Sequence, residues 1–184
     1  MHAEPCVAIG IIVRNELTRD RLRALMHELA RTAPRRSSFR VYLVGGGTAV
    51  YAGWRPSSID ADLFSEQEEI FHDIQGIKER LNLNVEFARP EHFVPALRGS
   101  AKRHVFLETI DNVSFYHYDP YAQILSKLVR GFQRDLDDAH HFIQSGMVDG
   151  QELQSLVEDI SESAYSKYPN LSRSAVLQAV CDFL

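Results

Sequence analysis

The chain has 184 residues, of which 45% are hydrophobic, and it carries a formal net charge of −5. This composition is typical of a globular protein and argues against disorder, while the mild negative charge gives no whole-protein footprint for nucleic acid. No apolar run reaches the roughly 18–20 residues that cross a membrane, and no export signal is evident, so we expect a cytoplasmic protein without membrane contact.

Hydrophobic periodicity predicts alternating strands and helices over the first two thirds of the chain. An apolar run at residues 7–13 fits either a first strand or the lead-in to a helix. The pattern then predicts a helix over 16–31, a buried strand over 39–44, the first turns of a helix over 48–53, a strand over 59–64 and a helix over 66–81. A third strand is predicted over 84–88, and Asp111-Asn112 marks the turn of a hairpin between 105–110 and 113–118.

The chain changes character after residue 118, where no further strand signal occurs. Apolar residues at helical spacing predict helices over 121–132, 134–145, 150–165 and 172–184. We therefore expect an α/β (α+β) fold, with a mixed sheet flanked by helices over 1–118 and a helical region over 119–184. Cys6 and Cys181 show neither zinc spacing nor a pairing pattern, so both are expected to be reduced core thiols.

The segment at 41–64, VYLVGGGTAVYAGWRPSSIDADLF, carries the chemistry of the chain. Three glycines follow a buried strand, and such a break leaves backbone N–H groups free to meet an anion, although it is also common at tight turns. Asp60 and Asp62 lie two apart on the next strand, so their carboxylates share a face and can hold a divalent cation. The spacing between glycines and aspartates brings them to one end of the sheet, which suggests a site for a metal-bound polyphosphate.

This segment resembles the signature of the DNA polymerase β-like nucleotidyltransferase superfamily, in which an apolar strand and Gly-Gly precede Asp-x-Asp. More narrowly, it resembles the abortive-infection nucleotidyltransferase toxins and related bacterial proteins. The matching residues are Gly46, Gly47, Thr48, Ala49, Arg55, Ser58, Asp60, Asp62 and Leu63. The step from Arg55 to Asp60 is one residue longer than the usual pattern, so Ser57 and Ser58 compete for the Ser/Thr position.

The resemblance continues at Asp119, Lys127 and Arg130 and at the Arg-Asp-x-Asp-Asp run of residues 134–138. Lys127 and Arg130 are three apart and share a helix face. The resemblance implies that they meet nucleotide phosphates. The alternative is a solvated charged face, or ion pairs with Asp135 and Asp138.

The fold implied by the resemblance is a nucleotidyltransferase-like mixed sheet, and the activity is transfer of NMP from an NTP to an acceptor hydroxyl. Mg²⁺ or Mn²⁺ would be held by Asp60 and Asp62, with a third carboxylate on a neighbouring strand. Glu86 is the candidate because it alternates with the apolar residues of its strand; an exposed polar position is its alternative reading, and Glu108 and Asp111 are further candidates. The nucleotide would be bound by Gly46, Gly47, Thr48, Arg55, Ser58, Lys127 and Arg130.

The acceptor implied by the resemblance is a tRNA, a protein or a small molecule, and a cognate antitoxin is an expected partner in a toxin–antitoxin or phage-defence setting. A non-catalytic protein that binds a nucleotide or a partner with the same fold is the rival hypothesis. Trp54, His117 and Tyr118 are further candidates for the cleft, with core packing as the alternative for Trp54. The histidines, His117 included, lack metal-ligand spacing.

Overall fold

The computed structural model describes residues 13–184. Cys6 and most of the apolar run predicted at 7–13 lie outside the described residues. The strands are β1 (Leu17–Thr18), β2 (Phe39–Val44), β3 (Ser57–Ser58), β4 (Asp60–Phe64), β5 (Asn84–Phe87), β6 (Val105–Ile110) and β7 (Val113–His117). The α-helices are α1 (Arg19–Thr32), α2 (Gly45–Tyr51), α3 (Ile74–Leu81), α4 (Pro120–Arg130), α5 (Gln133–Gln144), α6 (Gly150–Glu158) and α7 (Arg173–Phe183).

Five strands form one mixed sheet in the order β5-β4-β2-β7-β6. The central strand β2 runs parallel to β7 and antiparallel to β4, and β4 runs parallel to β5. The predicted hairpin is present as β6 and β7, with Asp111 at its turn in a left-handed conformation. With its flanking helices and the helices that follow, this sheet confirms the predicted α/β fold class.

Helix α1 packs on the sheet through one apolar stripe. Leu22, Leu25 and Leu29 on this stripe are fully buried, and the Thr18 hydroxyl accepts a hydrogen bond from the Arg21 N–H at the start of the helix. The helix begins three residues later than predicted because residues 17–18 pair as β1 with residues 57–58, which were expected to be a loop.

The helix predicted over 66–81 is two helices. A 3-10 helix covers Glu68–Phe71, and α3 begins only at Ile74. Ile70, Ile74 and Ile77 are buried as the periodicity predicted, so the error concerns continuity and not the buried face. Asp73 interrupts the helical backbone, and its carboxylate binds Arg80 at 2.8 Å.

The three glycines are the first turn of α2 rather than a break ahead of a helix at 48–53. Gly45 begins the helix with a φ of +52°, a conformation that residues with a Cβ rarely adopt. The small residues Ala49 and Val50 are buried against the sheet, as expected.

The C-terminal helices enclose a second apolar core, which includes Ile124, Phe142 and Leu153. Val94 and Leu97, from the segment after β5, pack in the same core. The division of the chain into an α/β region and a helical region at residue 118 stays a prediction. The helix predicted over 150–165 ends at Glu158, and a 3-10 helix follows over Glu162–Lys167. Cys181 is exposed, so its prediction as a core thiol is wrong.

The two faces of the sheet differ. One face packs on α1 and α3. The apolar core between them includes Ala61 and Leu63 of β4. On the other face, Tyr42 and Val44 pack against Tyr118 and Ala122, and Ala122 belongs to α4. Because side chains alternate along a strand, the two aspartates of β4 lie on this second face, beside α4. Within residues 13–184, no helix is both long and apolar enough to span a membrane.

Candidate functional site

Strand register brings three carboxylates to one face of the sheet. Asp62 lies opposite Val44 of β2 on one side and opposite Glu86 of β5 on the other, and Asp60 lies opposite Asn84. Residues that pair across neighbouring strands point to the same face. Asp60, Asp62 and Glu86 therefore form one acidic patch, which we call the carboxylate face.

Asn84 connects the two outer members of the carboxylate face. Its side-chain amide donates to Asp60 Oδ1 at 2.5 Å and lies 3.4 Å from Glu86 Oε1. Within the part of the chain that the structure describes, none of the three carboxylates forms an ion pair with a basic side chain. Their mutual repulsion is therefore not balanced by a neighbouring protein cation.

The uncompensated negative charge affects the pKa of Asp62. Burial, followed by the negative charges of Glu86 and Asp60, raises the pKa of Asp62 from 3.8 to about 6. A hydrogen bond from the Gly46 backbone N–H and the positive charge of Arg130 act in the opposite direction. A divalent cation beside these carboxylates would remove the repulsion.

The glycines let the backbone of α2 lie directly against these carboxylates. A Cβ at Gly45 would lie 2.7 Å from Asp62 Oδ2, and a Cβ at Gly46 would lie 2.8 Å from the Ser58 Cβ. The Gly45 N–H donates to Gln123 Oε1 at 2.8 Å, so this N–H is engaged within the site rather than free for an anion as predicted. Of the two competing serines, Ser58 lies at the glycines, whereas Ser57 donates to Glu16.

Lys127 and Arg130 lie on α4 opposite the carboxylate face, and both are ion-paired. The buried Lys127 ammonium contacts Asp138 at 2.5 Å and Asp135 at 3.4 Å. Arg130 contacts Asp135 at 2.6 Å, and Arg55 reaches Asp138 at 2.6 Å. The ion pairs that sequence reasoning offered as the alternative are therefore present, and we call this group the α4–α5 ion-pair network.

A cavity of about 120 Å³ lies between the carboxylate face and α4. Gly45, Asp62, Glu86, Lys127 and Arg130 all line it. The structure thus brings both sequence motifs to one cavity, with two acidic side chains on one wall and two basic side chains on the other. We call it the carboxylate cavity.

Residues 20–182 match the family described as a nucleotidyltransferase of unknown function, DUF6036. The chain belongs to this family. No curated protein and no solved structure matches the chain. The predicted membership of a nucleotidyltransferase family is confirmed, while the narrower relationship to abortive-infection toxins stays a prediction.

The donor set of the carboxylate face suits a hard divalent cation. Within residues 13–184, no three acidic, histidine or cysteine side chains stand in a ready-made metal cluster. Mg²⁺, however, is usually held by one or two carboxylates together with substrate phosphates, so a full protein cage is not required. Asp60 and Asp62, two carboxylates without an ion-pair partner, meet that requirement.

Other predicted site residues lie outside the carboxylate cavity. Thr48 is fully buried, and its hydroxyl donates to the Leu43 carbonyl at 3.1 Å and lies 3.2 Å from His117 Nδ1. Arg55 lines a separate cavity of about 740 Å³ with Trp54, which stacks on His141. The assignment of Thr48 and Arg55 to nucleotide binding stays a prediction.

The alternative third carboxylates lie elsewhere. Glu108 accepts a hydrogen bond from the Tyr51 hydroxyl at 3.0 Å, and Asp111 lies 3.6 Å from Arg35 at the hairpin turn. His117 is buried, and burial lowers its pKa to about 4, so it is neutral at pH 7. The prediction that His117 lies in the cleft is wrong, since its side chain is buried against the Thr48 hydroxyl.

Sequence reasoning missed Asn84, Gln123 and Arg89. Asn84 precedes Glu86 by two residues on a strand, and Gln123 precedes Lys127 by four on a helix, so both share a face with a predicted site residue. Those periodicities could have identified them. Arg89 lines the carboxylate cavity from the irregular segment after β5, where no periodic signal exists.

Proposed function

We propose that this protein transfers an NMP group from a metal-bound NTP to an acceptor hydroxyl. The observation that carries the proposal is the meeting of Asp60, Asp62 and Glu86 on one face, with Asp62 and Glu86 across a cavity from Lys127 and Arg130. Opposed acidic and basic walls suit a metal–triphosphate complex, whose cation and anion need opposite partners. Membership of a nucleotidyltransferase family supports the same chemistry.

Asp60 and Asp62 would hold Mg²⁺ or Mn²⁺, with Glu86 as the third carboxylate. When bound, the metal would supply positive charge to the α-phosphate and to the leaving oxygen. The raised pKa of Asp62 fits this role, since a bound cation favours the ionised carboxylate that repulsion disfavours without it. The carboxylate face is thereby suited to bind a metal and nucleotide together.

In the transfer step, the acceptor hydroxyl oxygen bonds to the α-phosphorus of the NTP. The bond from that phosphorus to the bridging oxygen of the β-phosphate breaks, and pyrophosphate leaves with the electron pair. Glu86 accepts the hydroxyl proton; its side chain is exposed and next to Asp62, which gives an acceptor room to approach. Gly45, at the start of α2, lines the same cavity as Asp62 and Glu86.

Lys127 and Arg130 contribute to the basic wall in different ways. Lys127 is 3% exposed and positioned by two aspartates, whereas the Arg130 side chain is 43% exposed and contacts one aspartate. Arg130 therefore has free donors for the β- and γ-phosphates, and Lys127 adds positive charge from behind. A tRNA, a protein or a small molecule remains the proposed acceptor class, and a cognate antitoxin the proposed partner.

Labelled NTPs incubated with Mg²⁺ and cellular RNA, protein or small-molecule fractions test the proposal. Calorimetric binding of Mg-NTP to Asp60→Asn and Asp62→Asn variants should be lost, together with labelling. The Glu86→Gln variant should retain most nucleotide binding and lose transfer, because it removes the proton acceptor. Unchanged Mg-NTP binding in both aspartate variants would contradict the site. Binding by the wild-type protein without labelling of any fraction would instead favour a non-catalytic nucleotide-binding protein.

A further inference from the structure

A second cavity, of about 530 Å³, adjoins the carboxylate cavity. Arg89 lines both, so the two cavities are neighbours. Phe64, Tyr118 and Tyr168 give the second cavity aromatic walls, and Glu91 and His104 add polar groups. We call it the aromatic pocket; its volume lies within the range of small-molecule sites.

The aromatic pocket lies along the same strand face as the catalytic candidates. Phe64 follows Asp62 by two residues on β4, so its ring lies on the carboxylate face about 6.6 Å further along the strand. The Arg89 guanidinium lies over that ring, 5.2 Å from its centre. The remainder of a nucleotide whose phosphate lies at Asp62 can therefore reach the Phe64 ring and the Arg89 guanidinium.

Three polar atoms of residues that line the aromatic pocket have no partner. Arg89 Nε, Glu91 Oε2 and Ser100 Oγ are buried and without a hydrogen bond among the residues that the structure describes. Arg89 Nε is a donor, Glu91 Oε2 is an acceptor, and the Ser100 hydroxyl can be either. Because an unpaired buried polar atom is costly, a ligand that offers an adjacent acceptor and donor would be favoured here.

Neighbouring hydroxyls hold Glu91 in place. Tyr118 donates to Glu91 Oε1 at 2.9 Å, and Tyr168 donates to the Glu91 carbonyl at 2.8 Å. Burial, followed by the charge of Glu91, raises the pKa of Tyr118, so its hydroxyl remains a donor at neutral pH. The free oxygen of Glu91 thus has a defined position relative to the aromatic walls.

We propose that the aromatic pocket binds the base of the donor nucleotide, an inference that rests on the proposed function. A nucleobase is flat, stacks on aromatic rings and guanidinium planes, and presents adjacent donors and acceptors at its edge. Arg89, which lies over the Phe64 ring, offers such a plane, and Glu91 offers an acceptor. The 740 Å³ cavity beside Trp54 shares no lining residue with the carboxylate cavity, so it is not the continuation of the phosphate path.

Comparison of Mg-tripolyphosphate with the four Mg-NTPs in calorimetric titrations isolates the contribution of the base. The wild-type protein should bind its preferred NTP at least about tenfold more tightly than tripolyphosphate, which carries no base. Glu91→Gln should change the order of preference among the four NTPs, and Phe64→Leu should weaken NTP binding about tenfold by removing the ring on which the Arg89 guanidinium lies. Both variants should bind tripolyphosphate like the wild type.

Arg98→Gln is the control, because the Arg98 side chain is 79% exposed and pairs with Asp159, and neither residue lines the pocket. It should leave every affinity unchanged, and melting curves should show that all variants fold. Equal affinity of the wild type for tripolyphosphate and all four NTPs would overturn the base pocket while leaving the proposed function intact. Absence of Mg-dependent binding of either probe would overturn both.

Discussion

The two walls of the carboxylate cavity differ in how their charged side chains are balanced by ion pairs. On the sheet side, three carboxylates meet without a basic partner among the described residues, and burial with like-charge repulsion raises the pKa of Asp62 to about 6. On the helix side, Lys127, Arg130 and Arg55 are matched against Asp135 and Asp138. One wall has carboxylates without an ion-pair partner, and the other has basic side chains held by ion pairs, with three cations to two carboxylates.

The difference separates binding from folding. A balanced buried network holds elements together, and removal of one partner leaves an uncompensated charge. An unbalanced carboxylate face costs stability until a cation arrives, as is usual for functional sites. Loss of a buried ion-pair partner on the helix side should therefore lower stability, and loss of a carboxylate on the sheet side should remove ligand binding without lowering stability.

The largest expected loss of stability follows from Asp138→Asn. Asp138 is almost fully buried and pairs with both Lys127 and Arg55, so the substitution leaves two cations short of a partner. We expect the free energy of unfolding to fall by about 3–5 kcal/mol. Urea unfolding of the wild type and the variant at pH 7 measures this difference in the free energy of unfolding.

The neighbouring Asp137 provides the matched control for this substitution. Asp137 is exposed and accepts one hydrogen bond from Gln133, so Asp137→Asn should change stability by less than about 0.5 kcal/mol. Equal effects of the two substitutions would contradict a structural role for the α4–α5 ion-pair network.

On the sheet side, Asp62→Asn should stabilise the protein while it removes metal and nucleotide binding. Because the pKa of Asp62 is higher in the folded state, the folded state binds more protons than the unfolded state between about pH 4 and pH 6. Stability from this group therefore falls as pH rises through that window, and the full cost is present above it.

With the pKa of Asp62 raised from 3.8 to about 6, that cost is at most about 3 kcal/mol, which bounds the gain in stability on substitution. Urea unfolding without Mg²⁺ should show the Asn variant more stable at pH 8 and nearly equal to the wild type at pH 4. A variant less stable than the wild type at pH 8 would show that the carboxylate face is not under repulsion.

A smaller effect is expected where the glycines meet the carboxylate face. An added Cβ at Gly46 would clash with the Ser58 side chain, whereas a Cβ at Gly47 would lie 3.5 Å from the Asp62 carbonyl, an ordinary contact. Gly46→Ala should therefore cost about 1–3 kcal/mol by overpacking, while Gly47→Ala should be tolerated.

Addition of Ser58→Gly to the Gly46→Ala variant should recover part of the loss, because it removes the atoms that clash. Thermal unfolding of the two single variants and the double variant measures the coupling. If the losses of the single variants simply add, the close approach of Gly46 to Ser58 is not what requires a glycine.

Features that depend on the period of a single strand or helix were predictable from the sequence. The shared face of Asp60, Asp62 and Glu86 was predictable because strand alternation has a period of two, and the neighbouring strands were recognisable from their apolar residues. Lys127 and Arg130 were predicted as a pair by helical spacing. Local periodicity was enough for each wall taken separately.

Features that depend on contacts between distant segments were not predictable. The pairing of Arg55 with Asp138 joins residues that are 83 positions apart, and no local pattern announces it. The start of α2 at Gly45 was missed because glycine has low helix propensity, and the close approach of Asp62 and Ser58 overrides that preference. The break before α3 was missed because the buried face continues across it.

The smallest effect on stability, and the sharpest test of the two walls, comes from Arg130→Gln compared with Lys127→Ala. The Arg130 side chain is 43% exposed and has one acidic partner, so its loss should cost less than about 1 kcal/mol of stability. Its affinity for Mg-NTP should still fall about tenfold, because a charge-assisted contact to phosphate is lost.

Lys127→Ala should reduce both stability and affinity, since the ammonium is buried between Asp135 and Asp138 and also lines the carboxylate cavity. Melting curves and calorimetric titration of both variants separate the two quantities. If Lys127→Ala weakens Mg-NTP binding with an unchanged melting temperature, Lys127 belongs with the binding residues, and the contrast between a structural and a functional wall is wrong at that position. If Arg130→Gln leaves Mg-NTP affinity unchanged, the phosphate-binding role on the helix side passes from Arg130 to Lys127.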